Sequence, residues 1–405
     1  MKKVRMGVIG LGCRGHMLIE TILACEEAEV TAICDVYDDR LERSAELVNE
    51  MRGITPHKYT DYKELLNSDK IDAVLVATSW ETHISIAIEA MKAGKITALE
   101  VGGACSIEEC WKLVHTYEET GTPIMMMENC CYDRFELIST ALVRSGKLGE
   151  IVHCHGAYGH DLRDEISGGN VRRHYRLPNY IARNCENYPT HELGPIAKIL
   201  NINRGNRMVS LVSVASKSAG LKEFVANNDK CVDKSLVGTE FMQGDIVETI
   251  ITCTGGQTIS LKLDTTLPRY YSREFTVRGT KGLTNAEANM ILIEGECDTH
   301  KYAENCNNTD KYSEFVPDIW KNITDEQKRL GHGGMDYLEF KAFFKAILNN
   351  EEMPIDVYDA AAWMCITSLS EYSIAQGGTP QAIPDFTSGR WVIRKPKDVI
   401  EFSKA

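Results

Sequence analysis

A chain of 405 residues, 43% apolar and 25% charged, has the length for two domains with separate cores and the composition of a soluble globular enzyme. Its net charge of −13 argues against the basic surface that nucleic acid or an anionic membrane requires, so neither is an expected partner. Fourteen cysteines, scattered and without a CxxC pair, read as reduced, buried thiols rather than a disulfide framework.

The chain starts directly in a strand–turn pattern, with neither a long apolar segment nor a small-residue cleavage site, which predicts a cytoplasmic protein. "KVRMGVIGLGCRGHMLIETIL" predicts a strand, then Gly10-x-Gly12-x-x-Gly15, then a helix. Glycine there permits the tight turn, the close approach of a pyrophosphate and helix–strand packing, and the helix start favours phosphate charge. The next strand, "EVTAICD", ends at Asp35, where a carboxylate accepts from ribose hydroxyls and repels a 2′-phosphate. NAD is therefore the expected cofactor, with Arg40 the one nearby residue that would suit NADP.

The alternation continues through "IDAVLVATS", "ETHISIAIEAMKAGK", "ITALE", "SIEECWKLVHTYEETG" and "PIMMMEN". Strands alternating with helices at short spacing predict a Rossmann-type, doubly wound parallel sheet. Ligands of such a sheet lie beyond the strand C-termini, which puts Ser79, Trp80, His83, Glu100 and Asn129 around the cleft. The texture changes near residue 130, so residues 1–129 read as the nucleotide-binding domain and 130–405 as an α+β substrate domain. Runs such as "EIVHCHGAYGHDLR" and "DIVETIITCTGGQTISLKLDTTL" alternate with period two and predict a large, open, mainly antiparallel sheet. Two long helices follow, and "CDTHKYAENCNNTDKYSEF" reads as an exposed loop.

The chemistry points to "CENYPTHELGPIAKILNINRG". His191 falls at or just before the first turn of an amphipathic helix, whose positive end disfavours imidazolium and leaves the ring ready to accept a proton. Pro195 reads as a residue tolerated where early helix N–H groups lack partners. A lone histidine at a helix start is more often a cap than a base. Tyr158 and Tyr271 are by default half-buried strand residues, and Cys130 with Cys131 packs in the core. His153, His155 and His160 invite a metal, but no carboxylate or cysteine completes a zinc set, so no metal is expected. In "HGGMD", Asp336 reads as a helix cap and His332 as a candidate cleft residue. No pair of carboxylates spaced for joint acid–base work can be picked out.

The Rossmann start, the later open sheet, and "GLGCRG", "TSWETH", "LEVGGA", "MMMENCCYDR", "GAYGHDLR", "NYPTHELGPIAKILNINRGNRM", "DTTLPRYYSREFTVRGTKG" and "HGGMD" carry a resemblance across nearly the whole chain. They resemble the Gfo/Idh/MocA oxidoreductase superfamily and, within it, glycoside hydrolase family 109, the NAD-dependent α-N-acetylgalactosaminidases. By that resemblance, Gly10, Gly12, Cys13, Arg14, Gly15, Asp35, Trp80, Glu81, Thr82, His83, Glu100, Val101 and Asn129 contact NAD. Tyr158, Arg176, Tyr188, Pro189, Thr190, His191 and Tyr271 contact the sugar, with Tyr270 the competing choice for Tyr271. His191, Tyr188 and Tyr271 are the implied catalytic residues. The implied reaction is transient oxidation at C3, loss of the C1 substituent by elimination, water addition and re-reduction, with NAD not consumed. It needs two proton movers, roles that suit histidine and a tyrosine with a perturbed pKa. The alternatives are a sugar 3-dehydrogenase, the same mechanism on another sugar, or a non-catalytic sugar-binding protein; a homo-oligomer is implied by resemblance alone. Val101 and Gly102 replace the Lys-Pro of ordinary sugar dehydrogenases, Asn187 replaces their aspartate, and Glu192 stands where family 109 leads one to expect glycine.

Overall fold

In the computed structural model, residues 3–402 are described. The first unit alternates strands and helices in chain order: β1 (Val4–Ile9), α1 (Cys13–Ala24), β2 (Ala28–Cys34), α2 (Asp38–Arg52), β3 (His57–Tyr59), α3 (Tyr62–Leu66), β4 (Ala73–Val76), α4 (Trp80–Lys92), β5 (Ile96–Glu100), α5 (Ile107–Thr120) and β6 (Ile124–Met127). The strands pair in parallel in the order β3-β2-β1-β4-β5-β6, the Rossmann arrangement. Ala-Val-Leu-Val of β4 and Ile-Met-Met-Met of β6 are buried throughout, which is why these strands read as unbroken apolar runs.

A short 3-10 turn, Asn129–Tyr132, leads into α6 (Arg134–Arg144) and the second sheet. That sheet comprises β7 (Ile151–Gly159), β8 (Met208–Ala215), β9 (Ile246–Cys253), β10 (Thr258–Asp264), β11 (Thr276–Gly279), β12 (Gly282–Asn285), β13 (Met290–Ile293) and β14 (Gln381–Ala382). Its order is β13-β12-β11-β7-β10-β9-β8-β14, with only β7 and β10 parallel. Along β9 every second residue is buried, so one face is covered and the other is open, as the alternation predicts. Between β7 and β9 the chain forms α7 (Arg163–Ser167), α8 (Leu177–Ala182), α9 (Thr190–Ile199) and α10 (Gly220–Asn227). After β13 come the short helices α11 (Tyr302–Asn305), α12 (Asp318–Lys321) and α13 (Asp325–Lys328), then α14 (Met335–Asn349) and α15 (Val357–Ala375).

Helix α9 packs on the covered face of β7, while α14 and α15 return to the first unit, α14 against α1 and α15 against α5 and β6. The N–H of Met126 on β6, the edge strand, donates to Ile355 O at 3.2 Å, so the C-terminal part closes the edge of the first sheet. The run expected as an exposed loop is partly inside: Asn305, Asn308, Thr309 and Tyr312 are buried. The Asn308 amide explains it, since it bonds both the N–H and the C=O of Ile291 and so substitutes for a strand neighbour. All fourteen cysteines are free thiols. Among the described residues no helix is long and apolar enough to cross a membrane.

Candidate active site

The glycine loop separates packing from binding. A Cβ on Gly15 would lie 1.9 Å from Gly10 O, and one on Gly10, at φ +91°, 2.6 Å from Ala77 O. Those two glycines are demanded by the protein's own backbone. In front of Gly12 the space is open, the nearest atom being Arg40 Nη1 at 3.8 Å. Gly12 is also the N-cap of α1, and no side chain satisfies the first N–H groups of that helix. An open hollow before an uncapped helix start is the cradle a pyrophosphate needs, so these residues fit a dinucleotide. Asp35, at the end of β2, accepts from the N–H of Leu11 at 2.7 Å and of Tyr37 at 3.0 Å, with Arg40 at 3.6 Å. A carboxylate has about four acceptor positions, so two remain for a ribose.

Arg14 joins two other expected cofactor residues, Glu100 directly and Asn129 through Asp336. Its Nε donates to Glu100 Oε1 at 2.8 Å, and its fork grips Asp336 at 2.6 and 3.0 Å. Asn129 Nδ2 donates to the same Asp336 at 2.6 Å, and His332 Nδ1 lies 3.0 Å from it. Asp336 is therefore not the cap of α14; Gly334 stands at the N-cap and Asp336 faces inward from the first turn. Burial pushes the Asp336 carboxyl up, but Arg14 and His332 outweigh it and hold it well below the carboxylate range. At Glu100 burial prevails over Arg14, and its carboxyl sits above the usual value. Val101 N–H donates to Glu100 Oε2 at 3.2 Å, Glu81 accepts from Asn179, and Thr82 bonds Ser79. His83 is fully buried with both ring nitrogens unpartnered, and burial lowers it to about 4. Cys13 is exposed at the start of α1.

Beyond β7 the sugar-side residues form one aromatic cluster. The Tyr188 ring lies 4.5 Å from Tyr158, 4.8 Å from His191 and 5.6 Å from Trp80, centroid to centroid. The Arg176 guanidinium covers Tyr188 at 4.7 Å and Trp80 at 4.9 Å. Arg176 is buried; its Nε forms an ion pair with Glu165 Oε1 at 3.3 Å without hydrogen-bond geometry, and its Nη1 has no hydrogen-bond partner. An unsatisfied buried donor costs roughly 1–3 kcal/mol, so the guanidinium is poised for ligand oxygens. Tyr271 lies in the loop after β10 rather than on a strand, half-exposed, and its hydroxyl accepts from Arg273 at 3.2 Å. Tyr270 turns away to Glu287, so Tyr271 is the tyrosine beside the cluster.

His191 is the second residue of α9, after Pro189 at the N-cap and the fully buried Thr190. Its Nδ1 lies 2.8 Å from Glu128 Oε1, and Glu128 is completely buried at the end of β6. A carboxylate can only accept, so Nδ1 carries the hydrogen and Nε2 is left as the acceptor. The ring is thus oriented by Glu128 and not by the helix end alone. Burial raises the Glu128 carboxyl, but the charge and hydrogen bond of His191 lead a set of contacts that bring it below its ordinary value. Pro195 is the sixth residue of α9, deeper than an early-turn proline; lacking an N–H, it leaves His191 O without its usual helical donor. The Cys130 thiol lies with Glu128 and His191 inside 4.8 Å, but burial holds it protonated and Nδ1 is engaged, so the trio reads as a dyad beside a packed thiol.

Burial also raises the phenols of Tyr158, Tyr188 and Tyr271. That runs against a tyrosine tuned toward neutral pH as a base and leaves Nε2 of His191 as the free acceptor of the cluster. Glu192 packs its Cβ where a Cβ on Gly156 would come within 2.9 Å, and it faces Glu186, also fully buried. His153 and His155 share a face but bond Thr258 and Ser260 across the strand. Asn187 is bonded to Gln243 and holds a structural place. A separate cavity of about 920 Å³, lined by Arg204, Lys345, Glu352 and Arg394 among others, contains none of the site residues. Sequence reasoning missed Glu128 and the inward role of Asp336. Glu128 adjoins Asn129 at a strand end, where cleft residues are expected, but nothing local marks its histidine.

Residues 132–393 match a family model described as the C-terminal domain of glycosyl hydrolase 109, and residues 4–128 match the NAD-binding Rossmann fold of the oxidoreductase family. An alpha-N-acetylgalactosaminidase of Tannerella forsythia is 37% identical, over 97% of this chain and 88% of its own length. A glycosyl hydrolase family 109 protein of Parabacteroides distasonis is 36% identical, over 98% and 89%. An alpha-N-acetylgalactosaminidase of Bacteroides fragilis is 37% identical, over 96% and 93%. Among solved structures, a levoglucosan dehydrogenase complexed with NADH and levoglucosan superposes with a TM-score of 0.71 at 18% identity, covering 95% of this chain and all of that one. At that identity the likeness is one of fold.

Proposed function

The chain belongs to glycosyl hydrolase family 109, and on that premise we propose that it cleaves α-N-acetylgalactosaminides with NAD held as a cofactor that is not consumed. It is a glycosidase with a nicotinamide-dinucleotide-binding fold. The choice of NAD over NADP follows from Asp35, whose charge would repel a 2′-phosphate. Residues 1–129 serve the nucleotide and 130–405 the sugar, and the open face of the second sheet, with Val152, Val214 and Ile250 exposed, is the surface for a second copy.

Bound NAD would supply reversible acceptance of hydride at C3, which acidifies the C2–H bond. The observation that carries the reading is the Glu128–His191 pair: a buried carboxylate fixes the imidazole so that Nε2 is free to take a proton. His191 removes the C2 proton. Arg176, with Nη1 unpartnered, binds sugar oxygens and stabilises the enolate charge as it develops. Tyr188, protonated and packed on His191, donates to the departing C1 oxygen or guides the incoming water. Trp80, Tyr158 and Tyr188 exclude bulk water from the sugar ring. Gly12 and Asp35 bind the dinucleotide, Gly10 and Gly15 let the loop fold around it, and Arg14, Glu100 and Asn129 brace its cleft through Asp336.

The test is incubation of purified protein, without added cofactor, with chromogenic α- and β-glycosides in deuterated water. Release of the chromophore with deuterium at C2 of the sugar is expected, and His191→Ala should stop turnover while NAD stays bound. Cleavage with C2 fully protonated refutes the elimination route. Accumulation of NADH and ketosugar identifies a dehydrogenase instead, and inertness toward every glycoside identifies a binding protein.

A further inference from the structure

Between Tyr158 and Tyr271 stands a third ring, His160, one residue past the end of β7. Its Nδ1 lies 3.2 Å from the Tyr158 hydroxyl, and the two rings meet edge to face at 5.8 Å. On its other side it meets Tyr271 edge to face at 5.2 Å. The sheet fixes its backbone, since His160 N–H donates to Asp264 O at 2.9 Å. Asp264 itself is paired with Arg269 at 2.7 Å, so that charge is balanced.

Transient oxidation moves two different protons, one from a sugar hydroxyl and one from C2, and the Glu128–His191 pair offers a single free nitrogen. Tyr158 cannot take the other proton by itself. It is 4% exposed, and burial holds its phenol so far up that phenolate does not accumulate. A buried phenol moves a proton only if it passes its own onward.

We propose that His160 is the positioning residue of a second proton path, holding the Tyr158 hydroxyl so that a proton leaving the sugar passes through the phenol to Nδ1. The inference rests on the glycosidase reading given for this site. The sugar O–H bond breaks as a new O–H forms on Tyr158, and the proton Tyr158 held moves to His160. The phenol ends the step unchanged, His160 carries the positive charge, and the electron pair leaves C3 with the hydride accepted by NAD⁺. Re-reduction runs the same path backwards. Burial lowers the His160 ring first of all, Arg176 and His191 act the same way, Glu165 and Asp161 oppose them, and the net direction is downward. The ring is therefore neutral and receptive at pH 7.

The experiment compares wild-type holoenzyme with His160→Asn and His160→Ala. Asparagine keeps an acceptor near the position of Nδ1 but binds no proton. The first readout is the single-turnover rise of bound NADH absorbance on mixing with N-acetylgalactosamine, which needs hydroxyl deprotonation but no bond cleavage. The second is the pH profile of kcat on a chromogenic α-N-acetylgalactosaminide. Both variants should retain NAD and keep KM within roughly threefold. NADH formation and kcat should fall about 100-fold or more, and the acid limb of the profile should become less steep, since only His191 then has to be unprotonated. Wild-type rates in His160→Asn overturn the proposal, and so does an active Asn variant beside an inactive Ala variant, since a hydrogen bond alone would then suffice. If wild type forms NADH but never cleaves the glycoside, the glycosidase reading fails while the His160 comparison is still read from the first assay. A variant that loses NAD or melts early is replaced by His160→Gln, judged by the same two readouts.

Discussion

Replacing Glu128 by glutamine tests the pair on which the proposed chemistry turns. Glu128 is fully buried, and its Oε1 lies 2.8 Å from Nδ1 of His191. A hydrogen bond to a charged group contributes about 1.5–3 kcal/mol, and about 1.4 kcal/mol is tenfold in rate. Loss of that bond alone therefore lowers kcat roughly 10- to 150-fold. Glutamine adds a second effect: its amide, turned toward Nδ1, donates to it and moves the ring proton to Nε2, the nitrogen that must accept. The combined loss is expected near 1,000-fold, with KM and bound NAD little changed. Glu128→Asp keeps the charge but withdraws by one methylene, and should fall between the two. Steady-state hydrolysis and C2 deuterium exchange are the assays; a folded, NAD-loaded Glu128→Gln enzyme with wild-type kcat refutes the reasoning. The acid stability profile gives an independent check. The folded Glu128 carboxyl is depressed, so its stabilisation is complete above the unfolded value of about 4.3 and lost as pH falls toward the folded one. Glu128→Gln should flatten that acid edge of the melting-temperature profile.

Gly12→Ala and Gly15→Ala should separate binding from folding: Gly12→Ala meets open space and should fold normally but lose NAD, whereas Gly15→Ala meets Gly10 O at 1.9 Å and should lose about 1–3 kcal/mol of stability, by thermal melting and NAD content. Arg14→Met strands Glu100 and Asp336 in the interior, which costs about 3–5 kcal/mol; denaturant titration should show it, and Arg14→Lys, without the fork, should recover only part. Burial raises the carboxyls of Glu186 and Glu192 in the folded state, so their contribution is complete below the unfolded value of about 4.3 and fades as pH rises toward the folded ones. Glu192→Gln, neutral at every pH, should reduce that loss in denaturation midpoints taken from pH 5 to 9.

What the sequence made legible was whatever chemistry repeats locally. Parallel strands buried on both faces announce themselves as apolar runs, and β9 announces its covered face by alternation. The glycine loop, Asp35 and the run before α9 are short motifs whose meaning lies within a few residues. Pairings across the chain leave no such trace: Glu128 and His191 are 63 residues apart, and Arg14 and Asp336 are 322 apart. Burial is likewise invisible to a motif: a tyrosine with a perturbed pKa can be expected from the run, but not that burial pushes the phenols of Tyr158, Tyr188 and Tyr271 upward. The same blindness makes residues 297–315 look like solvent-exposed loop, because their polar side chains satisfy a strand edge.

The return of α14 and α15 to the first sheet means that the nucleotide half is not a detachable piece. Ile355 completes the outer edge at Met126, Ser368 Oγ donates to Ala104 O, and a Cβ on Gly103 would fall 2.1 Å from Thr367 Oγ1. A fragment cut after residue 129 would bare an unpaired strand and the apolar flank that α15 conceals, and it should aggregate rather than bind dinucleotide. Folding of the nucleotide half is then an event of the finished chain: a lesion in the last long helix, remote in sequence from the first sheet, should be felt at the β6 and α5 it packs against.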